Sequence, residues 1–300
     1  MDSIRTTFFA TLVVIGTGVI WGFYWLPVRA IAELGLTGAW GTLAIVSAAT
    51  LLLLPLGWRG RHALAASDPI ALIAVALGGF AFFLYSVGFL YGRVAVIIIL
   101  FFLTPVWSTL IGHYAMGWLI TRTRVVVLVV GAVGMALMFG AEGEMPIPRG
   151  MGEWLGLTSG FLWALATVGI KVKATAGPGE SAFLFAAGAS FGGLLLAPFL
   201  EPFPDIQSLA NPLTVAIWVF VTGGIWWAVL MGGLMWAATK LEPARVGILL
   251  MAELLIAPLT AAVVAGERLA SAELLGGALV LVAGILEVVP ARRRKRSLVR

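Results

Sequence analysis

Ser47 to Pro55 reads SAATLLLLP, and Ser190 to Pro198 reads SFGGLLLAP. Each stretch opens on serine, passes through small residues into leucines and closes on proline, 143 residues apart. Other pairs follow in the same order. Thr17-Gly18 before Trp21 matches Ser159-Gly160 before Trp163, and eight residues after each tryptophan stands a base, Arg29 or Lys171. Gly78-Gly79 matches Gly223-Gly224, and Pro105 matches Pro258. One such match is noise in a chain rich in Leu, Ala and Gly. Four in order mark a duplication, residues 1–145 repeated as 150–291, followed by a basic tail at 292–300.

The medium in which the repeats fold follows from composition. Of 300 residues, 61% are hydrophobic and 11% charged, against about 25% charged in a soluble domain. That much apolar surface needs lipid as its solvent, and lipid admits only helices and closed barrels. There is no cysteine, which excludes disulfides, iron–sulfur clusters and thiolate chemistry. The two histidines, His62 and His113, are too few for a histidine-rich metal site. There is no Walker A motif, no His-Glu-x-x-His helix and no pair of intramembrane aspartates. We expect no enzyme, no cofactor and no ATP hydrolysis.

A helical span needs about 20 apolar residues. Splitting the chain at charge, Pro and Gly clusters gives ten: 8–32, 38–57, 69–91, 94–116, 125–141, 153–173, 181–200, 212–237, 244–265 and 272–290. The run from Phe8 is long enough to be an uncleaved first span rather than a signal peptide. The fifth span is short, and only Gly92-Arg93 separates the third from the fourth. With the N-terminus in the cytoplasm, 15 of the 19 Lys and Arg are cytoplasmic. Only Arg29, Arg93, Arg149 and Arg268 face the other side, as the positive-inside rule demands. The opposite loops carry Glu142, Glu144, Glu153, Glu201 and Asp205. The tail reads as a retention charge against anionic lipid rather than a nucleic-acid site.

Five helices per half is an odd number, so the second half enters the membrane from the opposite side. Inverted repeats of this kind build many secondary transporters, because two similar inverted halves can exchange conformations. The expected fold is an all-α integral membrane protein of ten transmembrane helices in two inverted five-helix repeats. It resides in a bacterial inner membrane as a multi-pass monomer with both termini cytoplasmic.

Glu253 stands out within the ninth span, between Met251-Ala252 and Leu254-Leu255. An acid at such depth is costly and faces a cavity or a partner. Two readings fit: a contact for a substrate ammonium or a protonation site, and a neutral glutamic acid that hydrogen-bonds between helices. Its repeat counterpart is Leu100. Arg29 and Lys171 end their helices and read as bases that snorkel to headgroups, with pairing to substrate carboxylates or gate residues as the alternative. His113 reads as interfacial. Pro27, Pro105 and Pro258 lie within spans, where each removes a backbone hydrogen bond. Pro105 and Pro258 are candidate hinges, with static kinks as the other reading. Gly131-Ala132-Val133-Gly134 offers a small-residue packing face.

Trp21-Gly22, the Pro105 helix, Glu242-Pro243-Ala244-Arg245 through Pro258 to Gly266-Glu267, and the final Gly276-Gly277 with Gly284 together resemble the drug/metabolite transporter (DMT) superfamily in its EamA-type branch. Within it the chain looks most like the YddG-type aromatic amino acid exporters. The resemblance covers nearly the whole chain. Two departures are visible: no basic residue lies between Gly38 and Ser47, and His113-Tyr114 stands where the second half has Gly266-Glu267. The resemblance implies a central cavity lined by helices one, three, four, six, eight and nine. Trp21, Tyr85, Phe101, Trp107, Trp163 and Trp227 fall on these helices, as do Tyr91, Trp226 and Trp236. Aromatic walls stack on apolar side chains and attract an ammonium, so the first six, with Glu253, are the expected substrate site. Trp40, Trp58, Trp118 and Trp154, near span ends, read as interface anchors. The expected activity is export of aromatic and other neutral amino acids by alternating access. Export of a drug or another metabolite is the alternative, and an intramembrane enzyme or scaffold is remote. Partners are the small-molecule substrate and membrane lipid.

Overall fold

The computed structural model describes residues 2–117, 122–139, 147–172, 176–205, 207, 209, 211–241 and 243–288. All regular structure among them is helical. In chain order the helices are α1 (Asp2–Trp21), α2 (Trp25–Glu33), α3 (Gly38–Arg59), α4 (Arg61–Ala66), α5 (Pro69–Tyr91), α6 (Val94–Phe101), α7 (Thr104–Tyr114), α8 (Arg122–Phe139), α9 (Met151–Val172), α10 (Pro178–Leu200) and α11 (Pro212–Thr222). A π-helical segment, Gly223–Leu230, leads into α12 (Met231–Ala238). After it come α13 (Pro243–Leu250), α14 (Ala252–Val264) and α15 (Ser271–Val288). Start signals are local. Asp68 accepts a hydrogen bond from Ile70 N–H ahead of Pro69, and Asn211 accepts from Leu213 and Thr214 ahead of Pro212. Each caps free amides where proline opens the first turn.

Among the described residues, eight helical stretches are long and apolar enough to cross a membrane: Ile4–Glu33, Gly38–Arg59, Pro69–Tyr91, Val94–Tyr114, Met151–Ile170, Pro178–Leu200, Pro212–Ala238 and Arg245–Val264. They match eight of the ten expected spans and make this an all-α, multi-pass membrane protein. The apolar helices at the fifth and tenth places, Arg124–Leu137 and Ser271–Leu286, are shorter. The two short helices lie against each other as part of α8 and α15. A Cβ at Gly134 would stand 2.8 Å from the Gly276 carbonyl oxygen, so the small-residue face of α8 is a packing face.

α5 runs between α9 and α10, and α10 also packs on α3. The α5–α10 approach is backbone on backbone. A Cβ at Gly79 would lie 1.8 Å from the Phe185 carbonyl oxygen, and one at Gly188 would lie 2.2 Å from that of Ala76. The two similar nine-residue stretches meet at the α3–α10 seam, where the Thr50 and Ser190 hydroxyls are 2.8 Å apart. Leu51, Phe199 and Val263 stand on the outer surface with their side chains exposed. In water they would drive aggregation; in a bilayer they face lipid.

Candidate functional site

Three of the membrane-length stretches are broken. α1 stops at Trp21, and a turn at Gly22-Phe23-Tyr24 precedes α2. α6 stops at Phe101, and Phe102-Leu103 precedes α7. α13 stops at Leu250, and Met251 precedes α14. A fourth stretch carries the π-helical segment, a local widening of the helix that often marks functional positions. A cavity of about 80 Å³ lies where these irregularities meet. Trp21, Phe101, Leu250 and Met231 line it from the helix ends beside the irregular segments, and Phe102 from inside a break. Irregular backbone at this depth is tolerated where it lines a cavity or is buried in protein.

The walls are aromatic. Phe82 is their hub, in edge-on contact with Trp21, Phe101, Trp163 and Phe185 at centroid distances of 5.1–5.4 Å. Trp227 is fully buried behind this layer, 5.7 Å from Phe185 and 6.0 Å from Trp21. Its indole N–H donates to the Tyr24 hydroxyl at 2.9 Å. Two polar side chains line the cavity, Thr17 and Glu253. The buried carboxylate of Glu253 accepts a 2.7 Å hydrogen bond from the Tyr85 hydroxyl. Tyr85 is itself clamped between the rings of Phe89 and Phe101, at 4.7 and 4.6 Å. The result is one acid, oriented by one phenol, in an aromatic box with no basic side chain among the lining residues. Such a box suits an ammonium, which gains ion pairing and ring contacts together.

Of the residues expected from sequence, Trp21, Phe101, Trp163 and Glu253 line the cavity. Tyr85 and Trp227 support it from behind. Trp107 does not belong. It packs on Phe161 at 5.7 Å between α7 and α9, and its buried indole N–H has no hydrogen-bond partner. The correction is one of helix face, since residue 107 has the right depth and the wrong side. Pro27 and Pro105 are not mid-helix either: each opens the first turn after a break. Pro258 does lie inside α14, seven residues after the break at Met251. Phe82 and Tyr24 were missed, although each stands three residues from a residue already singled out, Tyr85 and Trp21. Trp226 donates to the Ile20 carbonyl, and Trp236 meets Phe9 at 5.7 Å. Neither lines the cavity. Among the interface tryptophans, Trp58 and Trp154 are exposed, Trp40 donates to the Glu201 carbonyl, and Trp118 lies outside the described residues. The Lys171 side chain, Glu142, Glu144 and the basic tail at 292–300 also lie outside them.

Paired charge gathers at one end of the bundle. Arg29 does not snorkel. Its Nε donates to the Phe89 carbonyl at 3.1 Å, and its Nη2 donates to the Gly92 carbonyl at 3.1 Å and to Glu267 Oε1 at 3.2 Å. Its guanidinium lies 5.3 Å from the centre of the Trp25 ring. Glu267 also accepts from the Val94 and Ala95 amides, which caps α6. Gly266 makes this possible. Its φ of +67° ends α14 and turns the chain back, so that Glu267 N–H reaches the Ala261 carbonyl. Arg93 pairs with Glu273, whose hydrogen-bonded carboxylate pushes the guanidinium pKa up, and donates to the Arg268 carbonyl. Tyr91 donates to Glu201.

No protein-family model and no curated protein matches this chain. Solved structures do. One crystal structure of a protein superposes with a TM-score of 0.58 at 14% identity, covering 95% of this chain and 98% of that one. This likeness is one of fold alone, and it spans essentially the whole of both chains.

Proposed function

We propose that the chain is a secondary transporter of the drug/metabolite transporter superfamily, EamA type. In this reading its ten spans form two inverted five-helix repeats in a bacterial inner membrane, and it exports neutral and aromatic amino acids by alternating access. One observation carries the reading: a buried carboxylate, oriented by Tyr85, sits in an aromatic cavity where three helices break. Discontinuous helices around a central site are how secondary transporters expose backbone and side chains to a substrate. Glu253 takes the ammonium, and Trp21, Phe82, Phe101 and Trp163 take the apolar side chain. The volume of about 80 Å³ is far below the roughly 300–1,000 Å³ of ligand pockets, which supports a collapsed state in an alternating cycle.

The lining favours a second substrate as well. An acid without a base matches an apolar amine as closely as an amino acid, whose carboxylate finds no basic partner there. Counterflow of labelled Phe, Tyr, Leu and Met in liposomes tests the first reading. Flux above empty liposomes, falling at least tenfold in Glu253→Gln, is the expected result. Absence of amino acid flux from folded protein, with Glu253-dependent movement of a hydrophobic amine, would transfer the site to the second.

A further inference from the structure

The cavity is not central between the two ends of the bundle. Thr17 precedes Trp21 by one turn, and Leu234 and Leu250 line it from α12 and α13. All three lie on the side of the Trp21–Glu253 layer away from Arg29. On the Arg29 side the space is filled. Tyr24, Trp25, Val28 and Phe89 are buried there, and the Trp25 indole donates to the Thr260 hydroxyl at 3.1 Å. Beyond them the Arg29 side chain joins α2, the α5–α6 junction and the Gly266-Glu267 turn. One side chain thus makes three hydrogen bonds to segments that are 60, 63 and 238 residues away in sequence.

We infer that Arg29 and Glu267 form the latch of a gate, closed in this structure, which must part before a substrate passes between the cavity and the Arg29 end. The inference rests on the transport reading for its purpose, though not for its geometry. The pair is half-withdrawn from water, with side-chain exposures of 29% for Arg29 and 9% for Glu267. Water and salt therefore weaken it less than they weaken a surface pair. It is also composite. When Glu267 leaves, Arg29 loses its counter-charge and the first amides of α6 lose their acceptor, so the end of α14 and the start of α6 release together. Arg93 and Glu273 hold the neighbouring start of α15 to the same junction, with Arg93 more exposed, at 43%.

The absence of cysteine makes a direct test possible. Thr17→Cys places a single thiol in the cavity. A charged, membrane-impermeant methanethiosulfonate is then applied only to the vesicle face carrying Arg29. Slow labelling is expected with the latch intact, and labelling at least tenfold faster after either Arg29→Gln or Glu267→Gln. Arg268→Gln, a charge removed from the same end outside the latch, should leave the rate unchanged. Unchanged labelling in both latch variants would overturn the inference, as would equal acceleration by Arg268→Gln. So would parallel labelling of a cysteine at Ala189, buried in α10, because that reports general loosening. No substrate enters the assay. Faster labelling without amino acid flux keeps the gate and removes the substrate reading; flux with unchanged labelling does the reverse.

Discussion

The two ends of the bundle close off the Glu253 layer in different ways. Toward Leu234 and Leu250 the lining is apolar apart from the Thr17 hydroxyl and leaves room for a cavity. Toward Arg29 the chain spends several of its few charges on paired groups, Arg29 with Glu267 and Arg93 with Glu273, and adds Tyr91 bonded to Glu201. In a membrane protein apolar contacts gain little by leaving lipid, because lipid tails solvate them equally well. Directional polar contacts near the water boundary can instead be exchanged for water when they part. An end built from them is held by contacts that water can replace.

This contrast can be broken or sharpened by substitution. The largest effect is expected at the layer between the ends. Glu253→Ala removes a charge-assisted contact of about 1.5–3 kcal/mol, so transport should fall roughly 10- to 100-fold, while Glu253→Asp should retain part of it. Tyr85→Phe keeps the ring and loses the bond that orients the acid, for a fall of about 3- to 10-fold. Glu267→Gln should lower thermal stability by about 1–2 kcal/mol, having lost the charge on a hydrogen-bonded and half-buried pair. Glu273→Gln should cost under about 1 kcal/mol, because its partner is more exposed and water screens the pair. Adding salt should narrow the Glu273 difference more than the Glu267 one. Trp107→Phe, away from both ends, is the smallest. The indole N–H it deletes has no partner, so melting and flux should stay at or slightly above those of the parent.

The spans were legible because a membrane crossing needs a long apolar run, a one-dimensional property. Eight of them match the structure to within a few residues at most ends. The two serine-led stretches, read as one motif in sequence, lie on the same helix–helix seam. The breaks were not legible. The prolines, read as hinges or kinks, do not mark them: the chain turns at Phe102-Leu103 ahead of Pro105 and at Met251, seven residues before Pro258. Nothing in the run from Leu249 to Leu254 distinguishes Met251 from its apolar neighbours. Glu253 was legible because an acid at depth demands an explanation, whereas the partner of Arg29 lies 238 residues away and no local pattern reveals it. Trp107 shows the opposite failure: depth can be counted along a helix, but the face it presents is set by neighbours the sequence does not name. Phe82 needed only the helical period applied once more from Tyr85.

The Thr260 hydroxyl carries a mechanical consequence. It donates to the Gly22 carbonyl at 3.0 Å, shares the same hydrogen with its own Ala257 carbonyl at 2.9 Å, and accepts from Trp25. Gly22 opens the turn after α1 and Trp25 begins α2, so one hydroxyl on α14 grips both ends of that bend. That single hydroxyl ties α14 to both sides of the bend, so any rotation of α14 that kept these bonds would change the angle between α1 and α2.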